Sequence, residues 1–176
     1  MASDDVPARD LAYVALGSNL DDPLGHLRGA AHALGELTAG LRLSSIYRTV
    51  AVGGPPEQPD YLNAVAAFAP LTPWSTPAAL LEALLAIERA HGRIRRERWG
   101  PRSLDLDLLA LGEARLATPD LTLPHPRLME RAFVLAPLCE LAPAWRHPVS
   151  GDGACEALAR LGREGVQRTR LHWRPR

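Results

Sequence analysis

The stretch L-D-L-D-L-L-A-L, from Leu104 to Leu111, predicts the last strand of a four-stranded core. At its start leucines alternate with Asp105 and Asp107, so both carboxylates point to one face of the strand and the leucines to the other. Aspartate is depleted in strands, and two carboxylates on one face repel each other. A cationic partner is therefore expected there. The plain alternatives are a polar face in water or pairing with Arg102.

Upstream of this strand, hydrophobic periodicity and helix caps predict three more strands and two helices. The strands are expected at Leu11–Leu16, Leu41–Arg48 and Tyr61–Phe68. One helix should follow Asp21-Asp22-Pro23, and the other should run from Ala78 to about Ala90 and end at Gly92. The resulting order, β-α-β-β-α-β, is typical of a ferredoxin-like α+β fold.

Downstream, the sequence predicts an elaboration of this core that extends the antiparallel sheet and adds C-terminal helices. The expected pieces are a short strand at Arg115–Ala117, helices near Pro126–Leu141 and Ala154–Leu161, and an edge strand within Val166–Trp173. We expect a single domain over residues 11–176, preceded by a disordered or extended N-terminus over residues 1–10.

Composition limits the functional classes. The 176 residues are 47% hydrophobic, with 20 acidic and 20 basic side chains, which indicates a globular chain. No apolar run is long enough to cross a bilayer, and the N-terminus has no hydrophobic signal segment. Cys139 and Cys155 are too few for a disulfide framework and lack metal-type spacing, so a reducing cytoplasm is expected.

Every basic residue of the chain is an arginine, because the sequence contains no lysine. This excludes a Schiff-base lysine and a P-loop lysine. Any anion must therefore be bound by guanidinium groups, backbone N–H groups or metal ions.

An arginine-rich loop leads directly into the aspartate strand. From residue 89 to residue 102 six arginines stand against one glutamate, with Trp99, Gly100 and Pro101 among them. Dense positive charge beside paired carboxylates suits a metal–triphosphate complex, with Mg²⁺ between the anions and guanidinium groups on the outer oxygens. A solvated basic loop or a nucleic-acid patch is the alternative. Neither needs the Trp-Gly-Pro turn and the two carboxylates nearby.

These segments together resemble the 6-hydroxymethyl-7,8-dihydropterin pyrophosphokinases, enzymes of folate biosynthesis. The resemblance extends from Tyr13 to about Trp145. It rests on the motifs V-A-L-G-S-N-L, S-S-I-Y-R-T, Q-P-D-Y-L-N, G-R-I-R, R-W-G-P-R-S-L-D-L-D and L-P-H-P-R. It implies a ferredoxin-like fold that binds ATP, two Mg²⁺ ions and a pterin. The implied reaction moves the β,γ-pyrophosphoryl group of ATP to the pterin hydroxymethyl oxygen and releases AMP.

The resemblance also implies roles for individual residues. The implied metal ligands are Asp105 and Asp107, and the implied catalytic residues are Arg93, Arg102, Asp105 and Asp107. The implied ATP contacts are Glu88, Arg95, Trp99, Arg102, Leu108, His125 and Arg131. The implied pterin contacts are Thr49, Val52, Tyr61, Asn63, Trp99 and Phe133. Two positions depart from the pattern, since Leu85 replaces a polar residue and Pro126 an aromatic one that some members place near ATP.

Two other functions remain open at this point. A two-metal nucleotidyltransferase or cyclase could use the same D-x-D pattern, but it would release pyrophosphate rather than AMP. An RNA-binding module would need aromatic-rich central strands and a net basic domain, whereas this chain has few aromatics and a net charge of zero. We therefore expect small-molecule substrates, no nucleic acid, no membrane contact and a monomer.

Overall fold

A computed structural model of the protein describes residues 10–51, 58–92 and 102–174. Its longer strands are β1 (Ala12–Ser18), β4 (Tyr61–Phe68) and β5 (Asp105–Leu111). The shorter ones are β2 (Arg42–Leu43), β3 (Tyr47–Thr49), β6 (Leu116–Ala117), β7 (Thr122–Leu123) and β8 (Val166–Arg168). The helices are α1 (Pro23–Gly35), α2 (Pro77–Ala90), α3 (Ala132–Leu141) and α4 (Ala154–Leu161).

The main sheet has the order β5-β1-β4-β3-β8, with β2 also paired to β4. All of its pairings are antiparallel. Without β2 and β8, this is the strand order of a β-α-β-β-α-β unit, so the predicted ferredoxin-like α+β fold is confirmed. A separate hairpin of β6 and β7 lies beside β5.

The two helices of the core begin where their caps predict. The Asp22 Oδ1 atom accepts a hydrogen bond from the Gly25 N–H at 3.0 Å, and the Thr76 hydroxyl accepts one from the Ala79 N–H at 3.3 Å. In both helices a proline occupies the first turn, where its missing N–H costs nothing.

The predicted strand Leu41–Arg48 is interrupted, because β2 and β3 are separated by Ser44 to Ile46. The Ser44 hydroxyl accepts the Val65 N–H at 3.0 Å and replaces a backbone partner in the ladder. The C-terminal strand also ends early, at Arg168, after which the Thr169 N–H donates to the Ile46 carbonyl at 2.9 Å. Strand β7 has only two residues and was not expected from the sequence.

The sheet separates two hydrophobic cores. One face packs against α1 and α2 through residues such as Val14, Leu16 and Leu106. The other face packs against α3 and α4 through residues such as Val65 and Leu109. Because alternate residues of β5 point to opposite faces, Asp105 and Asp107 lie on the α3 side. Within the described ranges, no helix has the length and apolar character needed to cross a membrane.

Helix α3 is fixed to its surroundings by a polar cluster and a disulfide. The Glu140 carboxylate accepts hydrogen bonds from the Tyr47 hydroxyl at 2.7 Å and from the Ser45 hydroxyl at 2.7 Å. Cys139 of α3 and Cys155 of α4 form a disulfide. This disulfide was not expected from the sequence, so cysteine usage no longer argues for a reducing compartment.

The disulfide yields a stability prediction. It closes a loop between residues 16 positions apart, and such a cross-link lowers the entropy of the unfolded chain. Replacing both cysteines by alanine should therefore lower the free energy of unfolding by about 3 kcal/mol in urea titrations. Added reductant should lower the free energy of unfolding of the parent protein and leave that of the double variant unchanged. Equal stability of the two proteins under oxidising conditions would contradict the prediction.

Candidate active site

The two carboxylates of β5 lie opposite small residues of the central strand. Asp105 is in register with Gly17 and Asp107 with Ala15. The Arg102 Nη1 atom lies 2.8 Å from the Asp105 Oδ2 atom, and the Arg131 Nη1 atom lies 3.4 Å from the Asp107 Oδ2 atom. The pairing with Arg102 anticipated from the sequence is therefore present, and Asp107 has an arginine partner of its own.

These arginines do not fully compensate the acidic pair. Burial and the charge of Asp105 raise the pKa of the Asp107 carboxyl, and the lowering effects of His125, Arg131 and Arg102 do not cancel that rise. A further cation between the two carboxylates would favour their ionised forms. No group of three or more His, Cys, Asp or Glu ligands occurs among the described residues. The donor set thus fits Mg²⁺, which takes one or two carboxylates and completes its shell with phosphate oxygens and water.

The neighbouring strands carry a second group of functional side chains. Asn63 of β4 lies in register with Gly17 on one side and with Tyr47 on the other. Its Nδ2 atom donates to the Thr49 hydroxyl at 2.6 Å, which leaves its carbonyl oxygen directed towards Gly17. A Cβ atom at Gly17 would stand 3.0 Å from the Asn63 Oδ1 atom, so glycine keeps this part of the face open.

Two aromatic residues belong to the same side of the sheet. Tyr61 shares the face of Asn63, because the two are separated by one residue on β4. Phe133 lies in the first turn of α3 and packs against the core that α3 forms with the sheet. The Arg131 guanidinium carbon lies 5.7 Å from the centre of the Phe133 ring, within the range of a cation–π contact. Arg131 thereby connects Asp107 to an aromatic plate.

A cavity of about 300 Å³ adjoins Asp107 next to α2 and the β6–β7 hairpin. Its walls come from α2, from β5, from the β6–β7 hairpin and from the segment His125-Pro126. The lining residues are Leu81, Leu85, Glu88, Leu106, Asp107, Leu108, Pro119, Asp120, Leu121, Thr122, His125 and Pro126. The lining combines leucines and prolines with polar groups, as in a small-molecule pocket, and Asp107 belongs to both the cavity and the acidic pair.

Two polar groups of this cavity are held by backbone contacts. Glu88 is only 3% exposed, and its Oε1 atom accepts the Leu106 N–H at 2.7 Å. The His125 Nδ1 atom accepts the Arg127 N–H at 3.1 Å. Because Nδ1 accepts this hydrogen bond, the N–H of the ring is on Nε2. Burial lowers the pKa of His125, with Asp107 opposing that effect. His125 can therefore donate one hydrogen bond.

The structure thus brings most of the residues singled out in the sequence to one region. Asp105, Asp107, Arg102 and Arg131 form its centre. Glu88, Leu108 and His125 line the cavity, and Thr49, Tyr61, Asn63 and Phe133 belong to the side of the aromatic plates. Four further candidates, Val52, Arg93, Arg95 and Trp99, lie outside the described residues.

The cavity wall formed by residues 119–122 was missed in the sequence. Leu121 and Thr122 lie at the start of the second strand of a hairpin whose strands have two residues each, too short for a periodic signal. Leu81 was also missed, because a leucine on the apolar stripe of α2 is ordinarily a core residue. Leu85 and Pro126, the two departures from the family pattern, both line the cavity.

Comparison with known proteins identifies the family of this chain. A family model described as 7,8-dihydro-6-hydroxymethylpterin-pyrophosphokinase (HPPK) matches residues 13–143. The chain belongs to this family. The 2-amino-4-hydroxy-6-hydroxymethyldihydropteridine pyrophosphokinase of Synechocystis sp. is 48% identical over 153 residues, which cover 85% of this chain and 75% of the relative. The enzyme of the same name from Pseudomonas aeruginosa is 45% identical over 158 residues, covering 89% and 94%.

Solved structures agree on the fold. The crystal structure of Plasmodium falciparum HPPK-DHPS wild type with SDX-DHP superposes with a TM-score of 0.68 at 13% sequence identity. The match covers 90% of this chain and 47% of that chain, so this HPPK family member spans less than half of its length. The wild type with Pteroate gives a TM-score of 0.70 at 13% identity, covering 90% and 45%.

The uncompensated acidic pair yields a prediction for the ligand-free protein. A carboxyl with a raised pKa in the folded state opposes folding at neutral pH, because its ionised form is better solvated in the unfolded chain. Asp107→Asn should therefore raise the midpoint of thermal unfolding at pH 7 in the presence of a chelator. The gain should disappear as the pH falls and Asp107 of the parent protein becomes protonated.

The exposed Glu82 of α2 supplies a matched control, since Glu82→Gln removes one negative charge away from the acidic pair. That variant should leave the unfolding midpoint nearly unchanged. An Asp107→Asn midpoint below that of the parent protein at pH 7 would show that the Arg131 pairing outweighs burial and repulsion.

Proposed function

We propose that this protein transfers the β,γ-pyrophosphoryl group of ATP to the hydroxymethyl oxygen of 6-hydroxymethyl-7,8-dihydropterin, a step of folate biosynthesis. The observation that carries the proposal is the position of the acidic pair. Asp107 lines the cavity on one side, while Asp105 shares a row with Gly17 and Asn63 on the other. Two ligands bound in these places would meet at the carboxylates. Membership of the pyrophosphokinase family supports the same reaction.

The cavity is suited to the nucleoside of ATP. Its leucines from α2, β5 and the hairpin provide an apolar slot for a flat base, and Thr122 and Glu88 provide polar groups at its edge. The His125 Nδ1 atom accepts the Arg127 N–H, so its Nε2–H group can donate to a phosphate oxygen. We assign ATP contacts to Glu88, Leu108, His125 and Arg131, and also to Arg95 and Trp99 on the strength of the family resemblance.

The strand side is suited to the pterin. A pterin is a flat heterocycle with hydrogen-bonding edges, so it needs stacking surfaces and a few directed polar groups. Tyr61 and Phe133 are the proposed plates, and the Asn63 amide reads the edge of the ring. Thr49 holds that amide through the 2.6 Å hydrogen bond. Val52 and Trp99 are proposed as further contacts from the family resemblance.

In the reaction, the hydroxymethyl oxygen attacks the β-phosphorus, and the bond from that phosphorus to the α–β bridging oxygen breaks. AMP leaves with the bridging oxygen, and the hydroxyl proton passes to solvent. Such a displacement depends mainly on alignment and on neutralising charge. Asp105 and Asp107 would hold two Mg²⁺ ions, which supply charge neutralisation at the phosphate oxygens. Arg102 lies next to the pair and, with Arg93, is proposed to serve the transferred group. Arg131 can neutralise charge and buttress Phe133 at once.

We also propose that the protein acts as a monomer. The described site residues come from β1, β3, β4, β5, α2 and α3 of one chain, so a second copy is not needed to complete the constellation. A cytoplasmic location is proposed because ATP, the co-substrate, is produced and used there.

The decisive prediction is the product. Incubated with ATP, Mg²⁺ and 6-hydroxymethyl-7,8-dihydropterin, the protein should form AMP and the pyrophosphorylated pterin in equal amounts, detectable by ion-exchange chromatography. Omission of the pterin or addition of a chelator should stop AMP formation. Asp105→Ala and Asp107→Ala should each lower turnover by at least about 10³-fold, as expected for loss of a metal ligand that stabilises transferred charge. The exposed Glu82→Gln is the matched charge control.

Release of pyrophosphate instead of AMP would favour the nucleotidyltransferase or cyclase alternative. If the folded protein forms neither product with the pterin, the proposed function is wrong. Retained turnover in either aspartate variant would refute the metal role alone.

A second prediction separates the two substrates. Asn63→Ala removes the amide proposed to read the pterin edge, and it lies outside the residues that line the cavity. Its KM for the pterin should rise by about tenfold or more, the value of one or two directed hydrogen bonds, while the KM for ATP stays within about twofold. A parallel rise in both values would mean that Asn63 supports the whole site rather than the pterin.

A further inference from the structure

A single buried amide connects the two halves of the site. Asn19 follows the last residue of β1 and is only 2% exposed. Its Oδ1 atom accepts the Arg102 N–H at 2.8 Å, and its own N–H donates to the Arg102 carbonyl at 3.1 Å. Its Nδ2 atom donates to the Pro59 carbonyl at 3.1 Å. The side-chain oxygen and nitrogen of Asn19 are thus directed at two distant segments of the chain.

Each partner of Asn19 adjoins one half of the site. Arg102 carries the guanidinium that lies 2.8 Å from Asp105. Pro59 precedes by two residues Tyr61, the first residue of β4. Asn19 therefore lies between the residues that lead into the acidic strand and those that lead into the strand of the proposed pterin contacts.

The sheet itself does not fix these two positions. Strand β5 begins at Asp105 and β4 begins at Tyr61, so Arg102 and Pro59 both lie before the ladder of backbone hydrogen bonds starts. Beside Asn19, the Ser18 hydroxyl donates to the Ser103 carbonyl and holds the next residue of the same segment. An amide at position 19 meets both demands at once, because it accepts from a backbone N–H through its oxygen and donates to a backbone carbonyl through its nitrogen.

We propose that Asn19 is a positioning residue that sets the separation between the acidic pair and the pterin contacts. This inference rests on the proposed function. A displacement at phosphorus requires the attacking oxygen and the phosphorus to be aligned, and a misplacement of about 1 Å can cost about 10²-fold in rate. Asn19 touches neither substrate in this scheme. It acts through Arg102 on one side and through the segment leading to Tyr61 on the other.

Two substitutions divide the contacts of Asn19. Asn19→Asp keeps an oxygen for the Arg102 N–H but replaces the donor that meets the Pro59 carbonyl. Asn19→Ala removes both side-chain contacts and leaves only the backbone bond to Arg102. Ser44→Ala is the matched control. Ser44 is also 2% exposed, and its hydroxyl makes two hydrogen bonds, at 2.8 and 3.0 Å, that reach neither Arg102 nor Pro59.

The experiment measures kcat, both KM values and the thermal midpoint of the full-length protein with ATP, Mg²⁺ and the pterin. Asn19→Ala should lower kcat by about 10²-fold. Asn19→Asp should raise the KM for the pterin by about tenfold, because the hydrogen bond to the Pro59 carbonyl is lost and a carboxylate takes its place. The KM for ATP should stay within about twofold of the parent value. Ser44→Ala should lower the thermal midpoint and leave kcat and both KM values within about twofold.

The outcomes separate the inference from the function on which it rests. An inactive parent protein means that the proposed function has failed. An active parent with folded Asn19 variants whose kinetic constants match those of Ser44→Ala overturns the positioning role and makes Asn19 a purely structural residue. Equal losses in the two Asn19 variants, in kcat and in both KM values, also overturn it, because the two contacts would then have no separate effects.

Discussion

The pairing of β1 with β4 on one side and β5 on the other is the constraint on which the site depends. It places Asn63, Gly17 and Asp105 in one row across three adjacent strands. Because directly opposed residues share a face, a shift of one residue in either pairing would turn the amide or the carboxylates towards α1 and α2. Gly17 is part of the same constraint, since a side chain there would meet Asn63. The chemistry of the site is therefore set by the register of the central strand.

The same face of the sheet serves stability at one end and binding at the other. Near Val65 and Leu109 it is covered by α3 and α4 and belongs to a hydrophobic core. Near Asp105 and Asn63 the same face carries polar residues in place of apolar ones. Helix α3 is common to both ends, because its first turn carries Phe133 and its last turn carries Glu140, which binds Tyr47 and Ser45. The position of the aromatic plate is thus tied to the anchoring of the helix about two turns away.

Much of this arrangement could be predicted from the sequence. The alternation in β5 assigned Asp105 and Asp107 to one face, and the caps at Asp22 and Thr76 located both helices of the core. Local signals of this kind depend on near neighbours in the chain. The family resemblance then assigned residues far apart in the sequence, such as Tyr61 and Phe133, to one site, which no local pattern could do.

The features that could not be predicted from the sequence depend on contacts between remote segments. The break between β2 and β3 follows from the Ser44 hydroxyl meeting Val65, and the hairpin wall of the cavity comes from strands too short to be periodic. The Cys139–Cys155 disulfide forms because α3 packs against α4, and the sequence does not reveal that these two helices are neighbours. The roles of Ser44, of the hairpin residues and of the two cysteines thus became apparent only from the three-dimensional structure.

Asn19 shows how a motif residue can act without contacting a substrate. In the sequence, Asn19 belongs to the motif V-A-L-G-S-N-L, on which the family resemblance partly rests. The structure favours a structural role of a specific kind, because the side-chain oxygen of Asn19 contacts Arg102 and its side-chain nitrogen contacts Pro59. A residue that tethers two segments needs the same side chain wherever those segments must keep a fixed separation. The requirement for asparagine here therefore follows from alignment of the two halves of the site, not from affinity for either ligand.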